Sequence, residues 1–269
     1  MSLVNERARI VSNDQVGPRL HVLALESPQI AKAIMPGQFV HMKVPGRNEN
    51  ILRRPFSVYA RDAEAGRLEI LYQEVGELTS FMPTLSDGIV ETIGPIGNTW
   101  SGPARVKDGT CANALLVGGG VGAAPLFLLA ESLKELGCPF DVVLGAQTRD
   151  ALVTLERYSD LAGCEPCCAT DDGSYGRSGF CTSLVEERLE QGGIVKSGPY
   201  DYVAVCGPEP LMKIVADMAR KAQVSCEVSM EKRMACGIGA CLSCVVDTRD
   251  GKKRSCVDGP IFEAGEVMW

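Results

Sequence analysis

The hydrophobic periodicity of this 269-residue chain changes near position 114, and no other feature narrows the available folds as much. Before that point, apolar residues fall in short runs at 7–12, 20–26, 38–44, 55–59, 68–74 and 88–93. Gly17-Pro18, Pro36-Gly37, Pro45-Gly46, Gly66 and Asp87-Gly88 separate them. Turn residues at such intervals predict an antiparallel β-barrel. After it, buried-strand runs at 114–117, 140–145 and 202–206 alternate with helical runs at 125–136, 179–190 and 209–222. The last helix carries Leu211, Ile214, Val215 and Met218 at helical spacing. Strands alternating with helices predict a parallel sheet of the nucleotide-binding type. Residues 99–113, with Gly102-Pro103 and Asp108-Gly109, read as a linker, and the pattern beyond about 225 is short and cysteine-rich. The expected chain is therefore multidomain: a barrel over 1–102, an α/β domain over 103–225 and a small C-terminal unit over 226–269.

Composition removes several function classes. A net charge of −7, with no Lys/Arg block, argues against a general nucleic-acid or anionic-membrane surface. The densest apolar run, 123–130, falls far short of the roughly 18 residues of a membrane helix, and the N-terminus lacks a signal-peptide core, so a cytoplasmic location is expected. His21 and His41 are the only histidines, which excludes a three-histidine zinc site. Twelve cysteines in a chain large enough to pack ordinary cores read as thiols or metal ligands rather than a disulfide framework.

Cys236, Cys241 and Cys244 form C-x4-C-x2-C, and Cys256 follows twelve positions later. This is the ligand spacing of plant-type [2Fe-2S] sites, in which two thiolates hold each iron. Gly237, Gly239 and Ala240 let backbone amides curl close to the cluster, where hydrogen bonds tune its potential. Strands at 244–248 and 253–257, turning at Asp250-Gly251, would return Cys256 to the loop. Buried thiols or a structural zinc are the competing readings, although zinc sites usually pair their ligands in a different spacing. Cys164, Cys167 and Cys168 lack a convincing fourth partner and read as packing or surface thiols, and Cys111, Cys138, Cys181 and Cys226 as structural.

Gly118, Gly119, Gly120 and Gly122 lie between a strand and a helix that opens at Pro125. Residues without Cβ let a pyrophosphate approach the backbone, and the helix start offers amides and a positive dipole end; a bare tight turn is the alternative. Cys206 and Gly207 end another strand and are candidates for the nicotinamide end of the same crevice, or for an ordinary helix start. Asp171, after a third strand, faces either a ribose or solvent. Arg54, Pro55, Phe56 and Ser57 combine a guanidinium, a rigid ring, an aromatic and a hydroxyl. Composition alone favours a plain barrel strand over a flavin site there.

Taken in order, these segments resemble a family. Arg54-Pro55-Phe56-Ser57 is similar to the R-P-x-S flavin motif of ferredoxin–NADP reductase-like proteins, and Gly94-Pro95-Ile96-Gly97-Asn98, the glycine turn and Cys206-Gly207-Pro208 match their later landmarks. The stretch 230–241, together with Ala169-Thr170-Asp171-Asp172-Gly173-Ser174, resembles the electron transfer subunits of dihydroorotate dehydrogenase B, and the resemblance spans essentially the whole chain.

That resemblance implies FAD on the barrel, NAD on the α/β domain and a [2Fe-2S] cluster at the end. Its further implication is a separate FMN-containing catalytic subunit, two of each chain in a heterotetramer, and pyrimidine biosynthesis as the setting. Electrons would pass from FMN to cluster to FAD to NAD+, with no catalytic acid, base or nucleophile on this chain. The flavin contacts carried over are Arg54, Pro55, Phe56 and Ser57, then Leu71, Tyr72 and Gln73, then Leu78 and Thr79. Gln73 stands where the family often has arginine, and Glu77-Leu78 where a glycine is usual, which shifts the expected pyrophosphate contacts toward Arg54 and backbone amides. A ferredoxin:NADP oxidoreductase or sulfhydrogenase subunit is the alternative implied by the same domains.

Overall fold

The computed structural model describes residues 3–46, 51–102 and 113–269. Its first half is a seven-stranded antiparallel sheet built from β1 (Val4–Gly17), β2 (Leu20–Glu26), β3 (Phe39–Lys43), β4 (Arg54–Ser57), β5 (Ala60–Asp62), β6 (Arg67–Gln73) and β7 (Ile89–Ile96), in the order β4-β3-β7-β1-β2-β6-β5. Helix α1 (Pro28–Ala33) and the short α2 (Glu77–Phe81) sit in its connections. Alternation drives its closure: Val40 and Met42 of β3 point inward with Leu23, Leu68, Ile70 and Tyr72. Phe56 meets Tyr72 edge to face at 6.4 Å, joining β4 to β6 across the opening. The barrel expectation therefore holds. β1 runs further than the predicted 7–12 because two register shifts, after Ile10 and after Gln15, let its exposed polar half stay paired with β2.

The second half contains β8 (Ala114–Gly119), α3 (Ala124–Glu135), β9 (Phe140–Ala146), α4 (Leu155–Ala162), β10 (Cys167–Thr170), β11 (Arg177–Ser178), α5 (Thr182–Gln191), β12 (Tyr202–Cys206), α6 (Glu209–Lys221) and β13 (Ser225–Ser229). These strands form a parallel sheet in the order β11-β10-β9-β8-β12-β13, with β16 (Ile261–Glu263) added antiparallel at the edge. β8 shows why both faces are covered. Ala114 and Leu116 pack with α3 and α4, whereas Leu115 and Val117 pack with α5 and α6. Tyr59, Leu71 and Trp100 of the barrel join the first of these cores, so the two halves share apolar packing.

The expected boundary at 226 falls inside β13, because Ser225–Ser229 pairs with β12 as part of the sheet. The cysteine-rich segment is thus an excursion, 230–260, between two strands of the α/β sheet. It carries the hairpin β14 (Val245–Thr248) and β15 (Gly251–Arg254), whose register sets Val245 opposite Arg254. Cys111 and most of the expected linker lie outside the described residues. Among the described residues, no helix is long and apolar enough to cross a membrane.

Candidate functional site

The four tail cysteines come together as two pairs. The Cys236 and Cys241 side chains lie close enough to act on each other's ionisation, as do those of Cys244 and Cys256, and Cys236 acts on Cys256 as well. The hairpin makes the second pair: the Ser255 amide donates to the Cys244 carbonyl at 2.8 Å, which holds Cys256 beside its partner. Among the described residues, no three ligating side chains converge on one point. A diiron cluster takes two thiolates per iron.

The loop between the ligands is shaped for sulfur. Burial by itself raises the Cys236 thiol, but amides of Ile238, Cys241 and Ala240 and the Cys241 side chain outweigh it and bring the group down to about 6. The Ile238 amide lies 3.5 Å from its Sγ. Gly237 and Gly239 both take positive φ, +70° and +83°, and a Cβ at either would lie 2.6 Å from a neighbour, His41 Nδ1 or Val257 Cγ2. Burial, and next the adjacent Cys244, push the Cys256 thiol up to about 12. Clustered thiols resist ionising together, and a metal removes that cost. These donors fit a [2Fe-2S] group. Arg254, bonded to Asp258 at 3.1 Å, also reaches the Gly239 carbonyl at 3.3 Å and sets a cation against the loop.

The cysteine segment rests on the barrel. Phe39 and Ile96 pack with Met234, Cys244 and Cys256, so the outer face of β3 and β7 is its floor. β4 is the next strand, with Phe39 opposite Ser57 and His41 opposite Pro55. All four residues Arg54, Pro55, Phe56 and Ser57 are half-buried, so β4 presents a partly open surface of the kind a flat ring can cover. Arg54 NH1 bonds the Leu52 carbonyl at 2.9 Å. Leu71 and Tyr72 are buried and Gln73 exposed. The Tyr72 hydroxyl donates to Asn13 Oδ1 at 3.0 Å, which commits that side chain to the barrel. Leu78 packs in the barrel core. Thr79 Oγ1 accepts from the Val75 and Gly76 amides at 2.9 and 3.0 Å, ordering the turn that opens α2.

In the parallel sheet, chain order runs β8, β9, β10 to one side of β8 and β12, β13 to the other. The glycine turn after β8 and Cys206-Gly207 after β12 therefore meet at the topological switch point, where open α/β sheets bind ligands. The glycines divide into two roles. A Cβ on Gly118 would lie 2.8 Å from Ala123, on Gly119 2.5 Å from Leu211 Cδ2, and on Gly122 2.6 Å from the Gly207 Cα. Those three permit close packing of two turns. Gly120, at φ +56°, is exposed with no neighbour within 4 Å of such a Cβ, and is the one open to a phosphate. Cys206 is 1% exposed, its thiol raised by burial, and so lies beneath the crevice surface. Asp171 is exposed after β10, two strands or about 10 Å from β8, a separation that suits the ribose end of a dinucleotide. β6 touches the Gly120–Ala123 turn, which brings the barrel strands and the switch point together. Cys164, Cys167 and Cys168 lie apart from this assembly at the start of β10, with their thiols raised chiefly by burial. The sequence reading did not single out His41 or Arg254 at the cluster; the signal for His41 was its place beside Met42 in a strand that alternates faces.

Comparison with known proteins agrees with this geometry. A family model for the iron-sulfur cluster binding domain of dihydroorotate dehydrogenase B matches residues 231–268. The chain is 36% identical over 267 residues to the dihydroorotate dehydrogenase B (NAD(+)) electron transfer subunit of Geobacillus kaustophilus, covering 98% of both. It is 38% identical over 268 residues to that of Caldanaerobacter subterraneus subsp. tengcongensis, again covering 98% of both. Among solved structures, a chain of an NADH-dependent reduced ferredoxin-NADP oxidoreductase involved in flavin-based electron bifurcation superposes with a TM-score of 0.85 at 30% identity, over 98% of this chain and 90% of that one. A cytochrome P450 reductase from Amycolatopsis shares the fold at a TM-score of 0.66 and 23% identity, over 83% and 67%. With paired cysteines, switch-point glycines and whole-length similarity in agreement, the chain belongs to the family of dihydroorotate dehydrogenase B electron transfer subunits.

Proposed function

We propose that this chain works with an FMN-containing dihydroorotate dehydrogenase catalytic subunit, receiving electrons from dihydroorotate oxidation and delivering them by way of [2Fe-2S] and FAD to NAD+, in de novo synthesis of UMP. The observation that carries this reading is contiguity: the cysteine pairs pack on the face of β3, β4 lies beside it, and β6 touches the glycine turn. When bound, a cluster exchanges single electrons, NAD+ takes two as a hydride, and a flavin does both, which makes such a chain a converter between one- and two-electron chemistry.

The protein's own contribution is holding and orienting. Cys236 and Cys241 hold one iron, and Cys244 and Cys256 the other. Arg54 and backbone amides near Thr79 take the FAD pyrophosphate, while Pro55, Phe56 and Ser57, with the backbone of Leu71, Tyr72 and Gln73, border the ring. Gly120 admits the NAD pyrophosphate over turns packed through Gly118, Gly119, Gly122 and Gly207, with Cys206 beneath the nicotinamide end and Asp171 at the ribose. A carboxylate there disfavours a 2′-phosphate, hence NAD over NADP. The exposed Ile238, Leu242 and Val257 beside the cluster offer an apolar face for the catalytic subunit, in a complex with two copies of each chain and a cytoplasmic location. The flavin domain is taken as 1–102 and the NAD domain as starting at 103, with β13 and β16 completing its sheet on either side of the cluster excursion 230–260 in place of a separate unit from 226.

The test is anaerobic purification of the native complex and assay of dihydroorotate-dependent reduction of NAD+ and NADP+. The expected outcome is flavin absorbance, inorganic sulfide, a paramagnetic signal after dithionite, and NADH formation that needs both subunits. Dihydroorotate oxidation by this chain alone would overturn the division of labour, and a colourless protein would overturn the redox reading. Its likeness to the ferredoxin-NADP oxidoreductase chain favours one second reading, service to a ferredoxin-linked partner. Reduction of NADP+ by ferredoxin, with no response to dihydroorotate, would select it.

A further inference from the structure

His41 is fully buried, and among the described residues neither of its ring nitrogens has a hydrogen-bond partner. Leaving buried polar atoms unbonded is costly, so the location of the ring calls for a reason. Strand β3 supplies the placement: Val40 and Met42 turn into the barrel, leaving Phe39 and His41 on the face that carries the cysteine segment. Pro55 of the flavin motif stands directly opposite His41 on β4. On its other side lies Gly237, where a Cβ would come within 2.6 Å of Nδ1. The polar groups near the ring are the backbones of Arg53 and of Cys236, the first cluster ligand, with the Arg53 and Arg54 charges close enough to act on it. One imidazole thus spans two segments that are 180 residues apart in the chain, the R-P-F-S strand and the loop that carries the cluster ligands.

We infer that His41 is a positioning residue that ties the cluster loop to the flavin strand, its buried ring wedged between Gly237 of that loop and β4 and so setting the orientation of the cluster toward FAD. The inference rests on the cofactor reading above. It assigns the residue no proton transfer and no metal bond. Outer groups of this kind hold first ligands in place, and their loss commonly costs 10–100-fold in metal affinity or activity. Glycine at 237 follows from the same contact, since a side chain there would displace the ring.

The experiment compares wild type, His41→Leu and His41→Gln as the complex with the catalytic subunit. Iron, sulfide and FAD are counted, the dithionite-reduced cluster is examined by EPR, and NADH is mixed anaerobically in a stopped flow, with flavin bleaching and cluster reduction followed separately. Each NADH delivers two electrons to FAD, which leave singly to the cluster. His41→Leu is expected to keep FAD and the rate of flavin bleaching, alter the EPR line shape, and slow cluster reduction about tenfold. His41→Gln, able to bond backbone, should recover part of that loss. His41→Leu with wild-type EPR and a wild-type rate of cluster reduction would overturn the inference. If His41→Leu fails to fold, His41→Gln and His41→Asn decide it: a shifted signal with FAD retained supports the tie, and wild-type behaviour in both rejects it. Wild-type protein lacking FAD or iron would instead defeat the cofactor reading on which the inference stands.

Discussion

Cys241 is the exposed member of the first thiol pair, and its replacement separates the two halves of the proposed electron path. Cys241→Ser is expected to abolish NADH formation driven by dihydroorotate while leaving NADH oxidation by artificial acceptors, which draw from FAD, within about twofold. Loss of both activities with FAD still bound would place the cluster elsewhere in the order. A second expectation concerns Cys236, where amides overcome burial to hold the thiol at about 6 against its ordinary 9.0. The nucleophile is the thiolate, populated above that value, so after removal of the cluster iodoacetamide should label Cys236 at a rate that rises through about pH 6 and is flat by neutrality. A rate still climbing well into the alkaline range would show that the loop does not keep its shape without iron. That the four cysteines gather in one place was legible, because a short loop and a hairpin are enough to bring that spacing together. His41 was not, because an alternating strand looks the same whether its second face meets solvent or a later segment.

The turn after β8 shows where motif reading stops. Four glycines in a strand–turn–helix setting predicted a phosphate loop, yet sequence cannot say which glycine faces ligand and which faces protein. Gly122→Ala would drive a methyl into the Gly207 backbone and should cost about 1–3 kcal/mol of stability, read as a lower Tm whether or not NADH is present. Gly120→Ala meets nothing but takes φ +56°, so it should cost roughly 1 kcal/mol from backbone strain and weaken NADH binding disproportionately, read by titration of the flavin-containing protein. Equal effects of both on NADH affinity would remove the distinction. The strongly periodic elements were legible: β2 and β12 match their predicted bounds, and α3 and α6 lie within one residue of theirs. The missed ones are short. α1 has six residues and α2 five, too few to repeat a helical pattern, and α4 buries only Leu155 and Tyr158 of its eight.

At the scale of the molecule, the cofactor sites can communicate only if barrel and α/β sheet keep a fixed relation, and the chain invests in that relation away from the sites. The Arg157 guanidinium on α4 lies 4.5 Å from the centre of the Tyr59 ring and 4.8 Å from that of Phe127, and bonds Glu69 of β6 at 2.5 Å. Barrel strand, barrel loop and two helices of the α/β half thus meet at one cation. The cysteine excursion adds a second tie, because Asn98 Nδ2 at the end of the barrel donates to the Ile261 carbonyl at 2.8 Å, where the chain re-enters the sheet. None of this was legible in sequence, since the partners lie far apart and nothing local marks them. Both groups of the ion pair are partly exposed, so its charge attraction is screened and most of the contribution comes from stacking on two rings. Arg157→Met should therefore keep much of the packing and cost about 1 kcal/mol, whereas Arg157→Ala should cost about 1–3 kcal/mol. Calorimetry is expected to show a broader unfolding profile for Arg157→Ala than for the wild type, with NADH-to-FAD transfer slowed and the EPR signal of the cluster unchanged, because the barrel–cluster contact is separate from this one. A slowed transfer accompanied by an altered cluster signal would mean that the three parts move as one body and that Arg157 does not act on the crevice alone.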